Sequence, residues 1–362
     1  MRPFNRQAAD AAGARSPDAA PPPPTTTRKP APLRKQQWLN AAFTLGGLVL
    51  LAVLFRQVGV KEVAAHVREL GWSSAWILAP YAAGALLDCA GWACALNALG
   101  APIPLARLYL IRLAGEAVNQ LTPAGAVGGE PVKMYLLKLQ GVSTDKAVAS
   151  LVIARTALTV AQVVFILMGL PFFLYRLGVL GKNWIVLLPL LGLAYLFVRL
   201  LIRLQTRGLI SVGVRKLKRV LPWLERWERS AENTDAYLLS FYDSSHRAFV
   251  ASTLYHLGGW VVGVAEVAII LSMLGAPYQP PDPLILETMI QPLMAAALII
   301  PGALGVQEAG GVLLCRLLGI EPALGLTLMV LRRARQTAYV FAGLLLLMRF
   351  GGPARPSATG PT

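Results

Sequence analysis

The stretch GEAVNQLTPAGAVGGEPVK at Gly115–Lys133 places proline and glycine near the middle of an apolar segment, Leu105–Gln140. A second stretch, PGALGVQEAGG at Pro301–Gly311, does the same within Leu284–Leu318. Each segment starts with a helical pattern, breaks, and resumes as a helix. Non-helical backbone at membrane depth is tolerated only where it is packed in protein or lines a wet cavity. We therefore interpret both segments as re-entrant helical hairpins.

The two interrupted segments match one another in a single ungapped register, which aligns Pro123 with Pro301. A proline, a glutamate, a glycine and an arginine in one register are harder to obtain by chance than apolar identities. We infer an internal repeat with units at about 105–176 and 284–348. The matching polar and turn residues are Pro123 with Pro301, Glu130 with Glu308, Gly141 with Gly319, Arg155 with Arg333, and Thr159 with Thr337.

Composition indicates the surroundings of these segments. Of the 362 residues, 56% are apolar and 14% are charged, and the mean hydropathy is +0.56. Soluble domains carry about 25% charged residues, and about 20 apolar residues cross the hydrocarbon core. We predict an all-α fold, a polytopic membrane helix bundle of about six full spans plus the two hairpins. The predicted spans are Trp38–Phe55, Trp72–Leu99, Ala147–Tyr175, Trp184–Ile202, Phe249–Leu274 and Pro322–Met348.

The distribution of charge predicts the orientation. The net charge of +16 is concentrated in tails and loops, which favours the positive-inside bias of a membrane protein over nucleic-acid binding. Residues 1–37 hold seven basic and two acidic residues, and we interpret them as a disordered cytoplasmic tail. The single membrane domain is then 38–350, with a basic cytoplasmic loop at 203–247 and a short cytoplasmic tail at 351–362.

This orientation makes the repeat an inverted one. The first hairpin is expected to enter from the cytoplasm. The second is expected to enter from the outside, next to the loop Pro277–Pro283, which has no basic residue. Inverted repeats whose broken helices meet near the bilayer midplane are typical of transporters, and substrate sites lie at that point.

Ionisable groups within the spans are candidates for function, because each is costly unless it is paired or wetted. Glu130 and Glu308 stand where each broken helix resumes, and both helix capping and a substrate or counter-ion role are open. An arginine beyond a hairpin has three open roles: a partner for these glutamates, a ligand for a lipid phosphate, or a side chain that snorkels to the interface. We predict one arginine–glutamate pair in each unit, with the other arginines facing a cavity. The arginines are Arg155, Arg332, Arg333 and Arg335.

Further candidates surround the first break. Free N–H groups near the resuming helix are suited to an anionic headgroup, and amide side chains lie on the descending limb. An i,i+4 salt bridge between Arg112 and Glu116 is the simpler account of that limb. The candidates are Gly128, Gly129, Asn119 and Gln120.

Three more ionisable residues are isolated in the predicted spans. Asp88 and Glu266 are candidates for ion coupling, with structural packing as the alternative. His256 is interpreted as a hydrogen-bonded packing residue.

No catalytic motif emerges from the sequence. It has no nucleophile elbow, P-loop, HExxH helix or aspartate-rich metal motif. We therefore expect no enzyme activity, no cofactor and no bound metal. The three cysteines lie in apolar segments and are interpreted as small buried side chains.

The motifs quoted above, together with LRRARQ at Leu331–Gln336, carry a resemblance to a known family. They resemble the flippase-like membrane domain of lysylphosphatidylglycerol synthases, the transmembrane half of the multiple peptide resistance factor. The stand-alone branch associated with hopanoid biosynthesis is the most similar. The resemblance covers about Gln37–Phe350 and implies two hairpins around a lipid-accessible cavity. The residues it implies as the polar centre are Glu130, Arg155, Glu308 and Arg333.

The function implied by this resemblance is a lipid flippase or lipid-binding transporter of the bacterial inner membrane, with several passes and a cytoplasmic N-terminus. Its partners would be anionic or aminoacylated phospholipids, or a hopanoid. The alternative is a non-catalytic or intramembrane-enzymatic accessory subunit of hopanoid or polyprenyl lipid biosynthesis. A homodimer and lipid-biosynthetic enzymes are open as protein partners, and nucleic acid is not expected.

Two departures from the family pattern matter. The sequence ends at Thr362 without a soluble aminoacyl-transferase domain, so no synthesis of lysyl lipid is expected. Gln336 stands where relatives are expected to carry a carboxylate, which puts a local salt bridge there in doubt.

Overall fold

The computed structural model describes residues 60–121, 128–179, 185, 187–219, 221–297, 300 and 303–350. Within these ranges the chain is helical and has no strand. The prediction of a helical membrane protein is confirmed at this level. Among the described residues, four continuous helical stretches are long and apolar enough to cross a membrane: Ala64–Ala98, which includes a 3₁₀ segment, Thr144–Arg176, Leu187–Gln205 and His246–Met273.

Some predictions fall on other parts of the chain. The predicted span Trp38–Phe55 and the two predicted tails lie outside the described residues. So do Pro123 and Pro301, the prolines at the two breaks.

The first half of the described chain contains five α-helices and a short 3₁₀ helix at Gly71–Ile77. Helix α3 ends before the first break and α4 begins just after it, as the glycine- and proline-rich sequence predicts. The α-helices are α1 Val60–Leu70, α2 Leu78–Ala98, α3 Leu105–Leu121, α4 Glu130–Leu139 and α5 Thr144–Arg176.

In the second half, the last four helices repeat the order of long and short helices seen in the last four of the first half. They are preceded by three α-helices at 187–244, which we call the peripheral group. A 3₁₀ helix at Pro222–Trp227 lies within that group. The α-helices are α6 Leu187–Gln205, α7 Leu209–Leu217, α8 Glu228–Ser244, α9 His246–Met273, α10 Asp282–Ala296, α11 Val306–Leu317 and α12 Pro322–Phe350.

The predicted repeat appears in the local structure. Helices α5 and α12 begin at Thr144 and Pro322, which are equivalent positions in the register that aligns Glu130 with Glu308. The turns before them contain Gly141 and Gly319 with φ of +86° and +80°, a left-handed backbone that favours glycine. We call α2–α5 the first unit and α9–α12 the second unit.

The units pack against each other reciprocally. Helix α3 of the first unit lies on α12 of the second, and α10 of the second lies on α5 of the first. The equivalent helices α2 and α9 pack on one another. Reciprocal contacts of this kind are typical of two copies related by a pseudo-two-fold axis.

Helices α2 and α9 run antiparallel. Gly84 of α2 lies against Gly259 of α9, and Asp88, one turn later in α2, contacts His256, which comes earlier in α9. The two helices therefore run in opposite directions. A Cβ added at Gly84 would lie 3.5 Å from the Gly259 carbonyl oxygen, and one at Gly259 would lie 3.4 Å from the Gly84 carbonyl oxygen. The two backbones therefore cross closely at Gly84 and Gly259.

The peripheral group differs from the two units. No residue of α6 is buried, although its composition is largely apolar. Such a helix suits a lipid environment on most of its surface. Next to it, Asp235 of α8 accepts hydrogen bonds from the N–H groups of Ile210 and Ser211 at 3.3 and 2.8 Å. These bonds satisfy donors in the first turn of α7.

Candidate functional site

Two of the predicted arginines form a buried ion cluster in the second unit. Arg332 of α12 contacts Glu287 of α10 at 2.7 Å (Nη1 to Oε2) and Glu266 of α9 at 3.6 Å (Nε to Oε1). Arg335 also pairs with Glu266. The four side chains are only 3–11% exposed. Two cations and two anions therefore balance, and the cluster ties three helices together.

Arg333 belongs to a separate pair. Its Nε donates to Glu308 Oε1 at 2.9 Å, and its Nη2 lies 2.8 Å from the same oxygen. The other oxygen, Glu308 Oε2, accepts a hydrogen bond from the backbone N–H of Gly305 at 2.9 Å. Glu308 therefore caps α11 and pairs with Arg333 at the same time. Arg333 Nη1 also donates to Gln336 at 3.3 Å.

Among the described residues, the first unit lacks the equivalent pair, contrary to the prediction of one arginine–glutamate pair per unit. Glu130 Oε1 lies 3.0 Å from Lys133 Nζ instead. Arg155 is exposed, and no side chain in the described ranges forms a hydrogen bond or ion pair with its guanidinium.

The reason is local. Lys133 corresponds to Gly311 of the second unit in the shared register, so only Glu130 has a lysine one turn away. A side chain at Gly311 would collide with Met329, since an added Cβ would lie 2.5 Å from its Cε.

Arg155 and Glu130 nonetheless share a groove. A cavity of 460 Å³ lies between α4, α5 and α6. Its wall is mostly apolar, and its polar groups are Glu130, Arg155, Thr156, Thr159 and Gln205.

The remaining candidates near the first break interact with one another. Asn119 Oδ1 accepts a hydrogen bond from the N–H of Gly129 at 2.6 Å, so this N–H is occupied by a side chain. Glu116 accepts weaker bonds from Asn119 and Gln120 at 3.4 and 3.5 Å. Gly128 is partly exposed beside this group.

Asp88 is not isolated, which corrects the interpretation from sequence. Its Oδ2 accepts a hydrogen bond from Arg112 Nη2 at 2.6 Å, and its Oδ1 lies 2.9 Å from His256 Nδ1. Arg112 pairs with this carboxylate of α2 rather than with Glu116 on its own helix. Glu266 is likewise part of an ion cluster.

Sequence reasoning missed Glu287 and Lys133 as partners. Glu287 stands inside the apolar run LILETMIQP, and a carboxylate in such a run was the available signal. Tyr81 was also missed, and the Arg335 guanidinium lies 4.2 Å from the centre of its ring.

These features define a class: a helical membrane protein in which ionisable side chains are paired between apolar helices. A family model of the lysylphosphatidylglycerol synthase transmembrane region matches residues 37–343. The chain belongs to this family.

Among curated proteins, the chain is similar to a UPF0104 membrane protein of Methanothermobacter thermautotrophicus. The two are 23% identical over 232 residues, which cover 60% of this chain and 66% of that relative. The chain thus spans just under two thirds of the relative's length. No solved structure matches the chain.

Proposed function

We propose that the protein moves a polar-headgroup lipid between the leaflets of a bacterial inner membrane, without enzyme activity. The observation that carries this proposal is the reciprocal packing of the two units, α3 on α12 and α10 on α5. In transporters, units related in this way form a substrate site between them and expose it to each side in turn. Membership in a family named for a lipid synthase's transmembrane region points to a lipid as the substrate.

The topology we propose places α3–α4 and α10–α11 as re-entrant hairpins from opposite sides, within about six spans. The antiparallel course of α2 and α9 supports it, since equivalent spans that run in opposite directions belong to units of opposite orientation. We place the N-terminus and the basic segment 203–247 in the cytoplasm, following the positive-inside bias.

The charged groups take different roles in this proposal. The paired cluster of Arg332, Arg335, Glu266 and Glu287 holds α9, α10 and α12 together. The headgroup meets the less paired side of the molecule, where Glu130 and Arg155 line a groove. A phosphate suits a guanidinium because two N–H groups can bond two oxygens.

We propose movement that is downhill or coupled to an ion, since the sequence contains no nucleotide-binding motif. Asp88 is the coupling candidate that contacts a histidine, His256, at 2.9 Å. Protonation of that carboxyl would release Arg112 on α3 and so loosen the first hairpin from α2.

A second candidate is an accessory subunit of lipid biosynthesis, including that of hopanoids. The exposed basic residues Arg215, Lys216 and Arg219 favour it, because such a surface can hold a soluble enzyme or anionic headgroups at the membrane.

A leaflet assay separates the two candidates. Purified protein is reconstituted into vesicles with fluorescent phosphatidylglycerol, lysylphosphatidylglycerol or a labelled hopanoid, and an external quencher reports the inner-leaflet fraction. We expect protein-dependent movement of at least one lipid, reduced about ten-fold by Arg155→Gln, the effect of losing one charge-assisted bond. Arg199→Gln is the control, because Arg199 lies on exposed α6 and donates to Tyr195 on the same helix. Absence of movement for all three lipids would reject transport and favour the accessory role.

A further inference from the structure

The groove beside Arg155 combines a lone cation with an apolar wall. Five of its lining residues have aliphatic or thioether side chains: Met134, Val148, Leu151, Val152 and Leu201. In the described chain, the guanidinium of Arg155 has no hydrogen-bond or ion-pair partner, and Glu130 is already paired with Lys133. Together with Lys133, which pairs with Glu130 but does not line the groove, these side chains carry one net positive charge. An arginine at membrane depth without a partner is costly, so an anion is the complementary ligand.

Hydrogen bonds between neighbouring helices hold the polar end of the groove in place. Gln205 Nε2 donates to Thr156 Oγ1 at 2.6 Å, and Tyr242 Oη donates to Gln205 Oε1 at 2.6 Å. Burial raises the pKa of Tyr242 to about 12, so this phenol remains a neutral donor at physiological pH. The chain of bonds fixes Gln205 of α6 against α5 and keeps this wall of the groove in place.

The depth of Arg155 suits a phospholipid of one leaflet. Arg155 lies about three turns after Thr144, the first residue of the 33-residue helix α5. At about 1.5 Å per residue, it is about 16 Å from the start of a helix about 50 Å long. With a hydrocarbon layer of about 30 Å centred on α5, its Cα is about 6 Å inside the edge. Long side chains on a helix lean toward its N-terminus, which brings the guanidinium to phosphate level.

We propose that this groove binds one anionic phospholipid laterally, with the phosphodiester on Arg155 and an acyl chain along the apolar wall. The cavity of 460 Å³ falls in the range of about 300–1,000 Å³ that holds small ligands. Because Arg155, Glu130 and Lys133 together carry a net charge of +1, the site prefers a singly anionic lipid such as phosphatidylglycerol to a zwitterionic one. The site rests on the proposed function only for its role as the place where lipid reaches the transport path.

Lipid retention tests the site without requiring transport. The full chain in detergent is mixed with phosphatidylglycerol, phosphatidylcholine or diacylglycerol, and bound lipid is counted by native mass spectrometry. We expect phosphatidylglycerol to be retained about ten-fold better than diacylglycerol, which has no phosphate, because the charge-assisted bonds to Arg155 are then lost. Arg155→Gln should remove that preference, and Arg155→Lys should keep part of it, since a lysine retains the charge but not the fork.

Two further variants make the test independent of folding. Leu201→Trp fills the groove on exposed helix α6 and keeps Arg155, and it should also lower phosphatidylglycerol retention. Arg199→Gln on the same helix should leave retention unchanged. Equal retention by the wild type, Arg155→Gln and Leu201→Trp would overturn the proposal and mean that Arg155 only snorkels to bulk headgroups.

The outcome is distinguishable from failure of the proposed function. The same preparations are assayed for lipid movement between leaflets. Retention that depends on Arg155 without any movement would support the site and reject transport. If the wild type moves lipid but the wild type and Arg155→Gln retain phosphatidylglycerol equally, transport is supported and the site is rejected.

Discussion

The two units carry the same motif and use it differently. In the second unit, Arg333 is bonded to Glu308, and that carboxylate also caps α11. In the first unit, the equivalent Glu130 pairs with Lys133, and Arg155 is exposed in a groove. The units differ beside this glutamate at one position, Lys133 against Gly311, so only Glu130 has a lysine one turn away. The same motif therefore forms a structural ion pair in the second unit, whereas in the first unit it leaves the guanidinium of Arg155 without a partner among the described residues.

The buried cluster of Arg332, Arg335, Glu266 and Glu287 is a further difference between the two units. Arg332 and Arg335 correspond to Ala154 and Ala157 of the first unit in the shared register, and both alanines are buried. The second unit thus holds its long helix with ion pairs at positions where the first unit uses small apolar residues.

The largest expected effect comes from breaking the cluster. Arg332→Leu leaves the buried Glu287 without its partner, and losing one member of a buried ion pair costs about 3–5 kcal/mol. Thermal unfolding in detergent micelles measures the loss. The control is Arg199→Leu, expected within about 0.5 kcal/mol of the wild type because surface changes are small. Equal stability of the two variants would show that the cluster does not hold the second unit.

The next effect compares the equivalent arginines directly. Arg333→Gln should cost about 1.5–3 kcal/mol, the value of a hydrogen bond to a charged group. Arg155→Gln should change stability by no more than about 0.5 kcal/mol. Unfolding of both variants under one condition gives the difference, and phosphatidylglycerol retention should show the reverse order. If both arginines matter equally for stability, the asymmetry between the units is wrong.

The smallest effect tests the position that creates the asymmetry. Lys133→Met removes the local partner of Glu130, and Arg155 is then free to pair with that carboxylate across the groove. A partly exposed ion pair contributes about 0.2–1 kcal/mol, so phosphatidylglycerol retention should fall about two- to five-fold. Lys138→Met, on the same helix and exposed, is the matched control. An unchanged or higher retention in Lys133→Met would contradict this account of Arg155.

Much of the fold was predictable from the sequence. The shared register of the two segments predicted that corresponding helices would start together, as α5 and α12 do, because the turn glycines and the apolar periodicity are local signals. The breaks could also be recognised from proline and glycine, although the residues at their centres lie outside the described ranges. Helical membrane class follows from composition alone, since too few charged residues are present for a soluble domain.

The pairing of the charges was not predictable. Arg112 pairs with Asp88 of α2 instead of Glu116 on its own helix, because the partner is set by how α2 packs on α3. The pair of Glu287 with Arg332 was not predictable either, because the two residues are distant in sequence. Contacts between helices depend on packing, which no local pattern encodes.

The central claim is that the two units face opposite sides of the membrane. Lys138 and Arg316 are equivalent exposed positions near the ends of α4 and α11, and each can be replaced by cysteine. The background carries alanine in place of Cys89, Cys94 and Cys315, of which the first and last are buried. Labelling with a membrane-impermeant maleimide in right-side-out and inside-out vesicles should modify Lys138→Cys only from the cytoplasmic face and Arg316→Cys only from the opposite face. Labelling of both from the same face would contradict the inverted arrangement.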